Sequence, residues 1–158
     1  MAVDASFIGR RWGPFRYTVG VEKLREYVAA ISGGAPNLGL AIIPEDVHPV
    51  LYDEAAAAKG PYRGVIGFPT FAVNFAMSPF GAAMLDPALG VDLLRLVHAG
   101  QDFEFLEVLR PGDVLTTHGE LVDVSMRGRH QVLVVRTESV NQHGRPVVRA
   151  LFTGLIRG

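Results

Sequence analysis

Five apolar and β-branched runs, separated by short turn signals, occupy the chain from position 93 to position 157. They read LLRLVHA, QDFEFLEVL, VLTTHGELVDVSM, HQVLVVRTESV and PVVRALFTGLIR, and the turn signals fall at Gly100, 111–113, 127–128 and 141–144. Because connections this short leave no room for a crossover, neighbouring runs must pair as antiparallel strands. The C-terminal part is therefore predicted to form a five-stranded antiparallel sheet.

The last of these runs predicts that a bulky element lies across the sheet. Every second residue would face the core, where small side chains alternate with large ones: Val148, Ala150, Phe152, Gly154 and Ile156. The segment FAVNFAM after Thr70 is apolar on nearly all sides, as is typical of a buried helix. We expect this helix to kink or end at Ser78-Pro79, although GAAML at 81–85 could continue it. The sheet must curve around the helix to cover it.

The N-terminal part adds a strand and two further helices. FRYTV at 15–19 favours a short strand, and 38–43 could form a brief extended piece within a proline-containing loop. Segment 21–31 predicts an amphipathic helix, ended by Gly33-Gly34, with four apolar residues on one face: Val21, Leu24, Val28 and Ile31. Segment 53–59, DEAAAAK, favours another helix. The expected fold class is α+β, with a curved antiparallel sheet wrapped around a buried helix in a single domain, 1–158.

Composition excludes several classes of function. The chain has no Cys, which excludes thiolate nucleophiles, Cys-ligated zinc and iron–sulfur clusters. Its net charge is −1 with scattered basic residues, so we expect no nucleic-acid partner. No run has the length of a membrane span and the N-terminus lacks a secretory signal, so the expected location is cytoplasmic. A content of 49% hydrophobic and only 20% charged residues suggests surface that is buried against another subunit.

The stretch around Asp46 resembles an active-site signature. DVHPVLYD at 46–53, followed by an alanine-rich turn and by PTFA at 69–72, is similar to the hydratase signature of MaoC-like hot-dog proteins, D-x-N-P-x-H-x-D and then P-T-F-A. Two positions differ, because His48 replaces the asparagine and Leu51 replaces the catalytic histidine. In the family, the aspartate and the histidine together activate the water that adds to an enoyl thioester. Leucine cannot transfer a proton.

A second resemblance fits this departure. HAGQDFEF at 98–105 and LRPGD at 109–113 are similar to the FAS1-like dehydratase domain, the N-terminal half of MaoC-type dehydratases. That domain also occurs as a separate, non-catalytic subunit of heterodimeric 3-hydroxyacyl-ACP dehydratases of type II fatty-acid synthesis. The resemblance covers roughly residues 5 to 157.

The resemblance implies a hot-dog fold that pairs with a second hot-dog chain, as a hetero- or homo-oligomer. This chain would shape the acyl channel of an (R)-specific enoyl-thioester hydratase or 3-hydroxyacyl-thioester dehydratase, while the partner supplies the catalytic Asp and His. The substrate is expected on CoA or on acyl carrier protein, and no cofactor is expected. Two alternatives stay open: a non-catalytic acyl-thioester-binding homodimer, and a hot-dog thioesterase. The second is less favoured because those enzymes generally place an Asp or Glu on or facing the central helix, whereas 71–77 contains only Asn74 as a polar group.

The candidates for catalysis are Asp46 and His48. Asp46 reads more readily as a turn or capping carboxylate, and His48 could replace the missing base. The substrate-binding candidates are Tyr52, Arg63, Phe68, Thr70, Phe71, Asn74, His98 and Gln101. In a catalytic half, the helix start at 68–71 would polarise the thioester carbonyl. The remaining histidines, at 118, 130 and 143, lack metal-ligand spacing, so no metal site is expected.

Overall fold

A computed structural model describes residues 3–34 and 42–158 of the chain. The strands are β1 (Arg11–Thr18), β2 (Leu96–Phe105), β3 (Val114–Arg127), β4 (His130–Val140) and β5 (Pro146–Ile156). The helices are α1 (Val21–Ile31), α2 (Glu54–Ala57), α3 (Val73–Ala76) and α4 (Ser78–Met84), with short 3₁₀ turns at Ala5–Phe7, Pro49–Leu51 and Pro69–Ala72. No helix in this described part of the chain combines the length and apolar character needed to cross a membrane.

The five strands form one antiparallel sheet in the order β1-β3-β4-β5-β2, so that β1 and β2 are its edges. The 3₁₀ turn Pro69–Ala72, α3 and α4 follow one another across the inner face of the sheet and are called the central helix below. Its buried side chains form the core together with inward-facing residues of the strands. The predicted α+β architecture, a hot-dog fold with a curved sheet around a central helix, is confirmed.

Two glycines let the central helix lie close to the sheet. A Cβ built on Gly119 of β3 would overlap the Pro79 ring, with Val135 Cγ1 only 3.3 Å away on another side. A Cβ on Gly154 of β5 would lie 3.3 Å from the Phe80 ring. The small residues of β5 therefore accommodate the helix, as the sequence predicted, and Gly119 does the same on β3.

The predicted turn at Gly100 was wrong. The runs at 93–99 and 101–109 do not form two strands separated by a turn at Gly100, because 96–99 and 101–105 both belong to β2. His98 pairs with Gly154 and Gly100 pairs with Thr153, so a bulge at position 99 absorbs the irregularity while the strand stays paired with β5. The sheet still has five strands, since β1 joins it beside β3.

The helix predictions were correct in position and only partly correct in burial. Helix α1 spans 21–31 as predicted and buries Leu24 and Val28, but Ile31 is 48% exposed because the helix ends there and the chain turns away at Gly33. The central helix is interrupted at Met77, between α3 and α4, and then continues to position 84. It is not buried on all sides, since Asn74 faces solvent. The extended piece expected at 38–43 lies mostly outside the described residues.

Candidate functional site

An apolar cavity of about 290 Å³ lies between the start of the central helix and the end of β2. The central helix contributes Ala72 and Phe75 to its wall. The sheet and the segment after β2 contribute a second group of lining residues: Phe105, Leu106, Val108, Leu109, Val147 and Val148. The segments before the central helix close the remaining side with Leu51, Tyr62, Ile66 and Phe68. The volume is at the lower end of the range for small-molecule sites.

Main-chain hydrogen bonds hold the loop before the central helix against the rest of the wall. The Ile66 amide donates to the Val50 carbonyl at 3.1 Å, and the Gly67 amide donates to the Leu109 carbonyl at 2.8 Å. Gly67 permits this approach because a Cβ there would lie 2.8 Å from Leu109 Cδ2 and 3.1 Å from Leu109 Cβ. The cavity wall is therefore built by backbone pairing between segments that are distant in sequence.

Leu51, at the position of the signature's catalytic histidine, lies in this wall. It ends the 3₁₀ turn Pro49–Leu51, is half-buried and lines the cavity. Among the described residues that line the cavity, Glu107 is the one with a carboxylate, which lies 3.6 Å from the Arg145 guanidinium. A site with this lining can hold an apolar chain, and its position 51 offers no proton-transfer group.

The two candidates for catalysis lie outside the cavity lining. Asp46 is exposed in the turn before Pro49. His48 is exposed as well and caps the 3₁₀ turn, with its Nδ1 accepting a hydrogen bond from the Val50 amide at 3.2 Å. Asp53 caps α2, since its Oδ1 accepts from the Ala56 amide at 3.0 Å. His48 and Asp53 of the signature thus act as turn and helix caps in this chain.

The start of the central helix offers few free amides to the cavity. Its first residue, Pro69, has no N–H, and the Phe71 amide already donates to the Phe68 carbonyl at 2.9 Å. The exposed Thr70 hydroxyl accepts a hydrogen bond from the Tyr27 hydroxyl at 2.9 Å. Asn74 uses its side-chain amide to donate to the Phe71 carbonyl at 2.9 Å. The groups of Thr70, Phe71 and Asn74 described here are therefore used in contacts at the helix start. Among residues 68–71, those that line the cavity are Phe68 and Pro69.

Comparison with known proteins identifies the family. The sequence profile described as FAS1-like, dehydratase domain region, matches residues 6–150. The chain belongs to this family. A UPF0336 protein of Saccharopolyspora erythraea is 37% identical to it, over 100% of this chain and 94% of that protein.

Solved structures agree on the fold of this FAS1-like dehydratase chain. The HadBC (3R-hydroxyacyl-ACP dehydratase) complex from Mycobacterium tuberculosis matches with a TM-score of 0.75 at 24% identity, over 98% of this chain and 99% of that chain. A MaoC-like dehydratase matches with a TM-score of 0.78 at 25% identity, over 96% of this chain and 42% of that chain. The chain is thus a MaoC-like hot-dog dehydratase family member.

The remaining substrate-binding candidates lie outside the cavity lining. They are Tyr52, Arg63, His98 and Gln101. Tyr52 is half-buried, and its carbonyl accepts from Arg25 Nε at 2.9 Å. Arg63 is exposed in a turn with φ of 54°. His98 and Gln101 lie within β2 and outside the cavity lining. The His98 ring packs beside Phe152 at a centroid distance of 6.0 Å, toward the other end of β2 from the cavity.

Sequence reasoning missed most of the cavity wall. Phe105, Leu109, Val147 and Val148 line it, yet none was a candidate. The alternation of inward and outward residues in β5 correctly predicted that Val148 faces inward. That alternation is the same whether an inward side chain packs in the core or lines a cavity, so it could not identify the cavity. Among the described residues, 3–34 and 42–158, no group of three or more His, Asp or Glu is arranged to hold a metal ion.

Proposed function

We propose that this chain is the acyl-binding subunit of an (R)-specific enoyl-thioester hydratase or 3-hydroxyacyl-thioester dehydratase. A second hot-dog chain would carry the catalytic Asp and His. In this assembly the apolar cavity holds the acyl tail of a substrate that is carried on CoA or acyl carrier protein. The dehydratase family of the chain and its fold similarity to HadBC support this reaction class.

The observation that carries the proposal is Leu51 in the cavity wall. The position that holds a histidine in the hydratase signature here adds an aliphatic side chain to a mainly apolar lining. Burial of apolar surface contributes about 25 cal/mol per Å², so this wall favours an acyl chain. The same wall gives no group at position 51 that can activate water.

The free edge of β2 provides the surface for the partner chain. Within residues 3–34 and 42–158, β2 pairs with β5 alone, so the backbone groups on its outer edge are available to another strand. Large apolar side chains are exposed along and beside this strand, with Leu94 90% exposed and Val97 42%. Monomeric proteins rarely leave such a continuous edge uncovered. A second hot-dog sheet pairing antiparallel along β2 would cover it.

The first experiment measures hydration of trans-2-octenoyl-CoA by the purified chain alone and binding of octanoyl-CoA by calorimetry. We expect binding without hydration, and hydration once a hot-dog chain with the intact Asp and His is added. That chain is found by co-purification from the native source. Robust hydration by the isolated chain, abolished by Asp46→Asn or His48→Ala, would contradict the dependent-subunit role.

A matched pair of variants tests the cavity. Leu51→Asp places a charge in the apolar wall, and we expect it to lower octanoyl-CoA affinity at least tenfold because the acyl tail would then bury an unpaired carboxylate. Leu85→Asp serves as the control, since Leu85 is 68% exposed and does not line the cavity. Binding with no catalytic partner would favour the acyl-thioester-binding homodimer, and hydrolysis of octanoyl-CoA would favour a thioesterase.

A further inference from the structure

The exposed fractions of the lining residues show which end of the cavity is open, its mouth, and which end is closed, its floor. Tyr62 is 42% exposed, Phe105 47% and Val108 41%, so the mouth lies beside the end of β2. Ala72 is 2% exposed, Phe75 1% and the β5 residues Val147 and Val148 at most 3%. The cavity therefore runs from the free edge of the sheet to a closed floor between the central helix and β5.

The mouth and the floor differ in chemistry. Glu107 lies at the mouth, on the segment after β2, with its carboxylate 3.6 Å from the guanidinium of Arg145 on the turn before β5. The floor has only apolar side chains, and Ala72 is its smallest side chain. A linear acyl thioester would therefore enter tail first, with its polar end at the mouth and its terminal methyl group against the floor.

The volume limits how much of the tail can enter. A group the size of a water molecule takes up about 30 Å³ in a liquid, and a methylene is of similar size, so the cavity holds about eight to ten chain carbons. On the basis of the proposed function, we infer that this subunit selects medium-chain acyl thioesters and that Ala72 sets the upper limit of chain length. Longer chains would leave the excess methylenes outside the cavity.

The test measures affinity of the full chain for butyryl-, octanoyl-, dodecanoyl- and hexadecanoyl-CoA by calorimetry, with free CoA as the blank. Each methylene buried in the cavity is expected to increase affinity about fourfold, the factor that corresponds to about 0.8 kcal/mol. We expect a steep rise from butyryl- to octanoyl-CoA and a plateau at or before dodecanoyl-CoA. An affinity that keeps rising at the same rate to hexadecanoyl-CoA would overturn the length limit.

Ala72→Val adds two methyl groups at the floor, so the plateau should come about two carbons earlier and its affinity should fall about sixteenfold. The matched control is Ala76→Val, because Ala76 is buried on the same helix but does not line the cavity. If Ala72→Val does not fold, Ile66→Phe fills the cavity from a half-buried position and should shorten the preferred chain as well.

The outcomes separate this inference from the proposed function. Equal affinity for butyryl- and octanoyl-CoA, or binding no better than that of free CoA, would contradict acyl binding in the cavity and with it the proposed function. Chain-dependent binding with a plateau that Ala72→Val does not move would overturn the role of Ala72, and a plateau that Ile66→Phe does not move either would overturn the length limit itself. A plateau that moves in Ala72→Val, and not in Ala76→Val, would support the role of Ala72.

Discussion

Replacing Gly119 by alanine should destabilise the protein strongly because the central helix rests on this position. The new Cβ would overlap Pro79, with Pro79 Cγ at 3.2 Å and Val135 Cγ1 at 3.3 Å. The Pro79 ring is buried and cannot rotate away, so the helix or β3 would have to move. Overpacking of this kind costs about 1–3 kcal/mol, and we expect a value near the upper end, about 3 kcal/mol.

A second glycine of the same region provides the control. Gly81 lies in α4, and a Cβ there would meet no atom within 4 Å. Gly81→Ala should therefore increase the free energy of unfolding by about 0.5–1 kcal/mol, since alanine has less freedom to lose in a helix. The two substitutions add the same methyl group and should change stability in opposite directions.

Urea denaturation at fixed protein concentration measures both effects, with thermal unfolding as a second measurement. For a chain of this size, about 1 kcal/mol corresponds to roughly 2–4 °C in Tm, so Gly119→Ala should lower Tm by about 6–12 °C. Protein concentration is held constant because the subunit pairing proposed above would add to apparent stability. If Gly119→Ala unfolds at the wild-type urea concentration, the close approach of the central helix to β3 is refuted.

Three further substitutions test other parts of the fold. Tyr27→Phe removes the hydrogen bond to Thr70, and urea denaturation should show a loss of about 0.5–1.5 kcal/mol. Asp86 has a pKa below its ordinary value of 3.8, chiefly because the Ala88 amide donates to it. Its contribution is full above that value and is lost as pH falls through the lowered pKa, so the Tm deficit of Asp86→Asn should shrink in acid. Val97→Lys on the free edge should shift the oligomer toward monomer in sedimentation velocity.

Each of these three predictions has a control measurement that can contradict it. A double-mutant cycle with Thr70→Ala should give a coupling energy between Tyr27 and Thr70, and additive effects would show that the bond contributes nothing. For Asp86→Asn, a Tm deficit that is the same at every pH would contradict the lowered pKa. Leu85→Lys should leave the sedimentation coefficient unchanged, and an equal effect of Leu85→Lys and Val97→Lys would remove β2 as the interface.

The fold could be predicted because the elements have strong local periodicity. Helix α1 and strands β3 to β5 follow from apolar spacing and from the turns between them. The sequence could not predict that one strand runs through Gly100. A glycine beside a bulge and a glycine in a turn give the same sequence signal until the pairing with β5 is known. The exposure of Ile31 likewise depends on where α1 ends relative to the sheet.

The candidate site was less predictable because its wall is made by long-range backbone pairing. The hydrogen bond between Gly67 and Leu109 joins segments that have no common pattern, and it creates the cavity beside the central helix. The resemblance placed Leu51 and Phe68 in the right region. It also drew attention to His98 and Gln101, which lie farther along β2 from the cavity.

The loss of the signature's histidine is compatible with an intact site because the local fold does not depend on that side chain. The Leu51 amide donates to the His48 carbonyl at 3.2 Å, and the Asp53 amide donates to the Pro49 carbonyl at 2.8 Å. These main-chain bonds and the Asp53 cap of α2 hold the turn whatever side chain position 51 carries. A leucine there removes proton transfer and adds apolar surface to the cavity. Under the proposed function, acyl binding needs no histidine at position 51, and water activation falls to the partner chain.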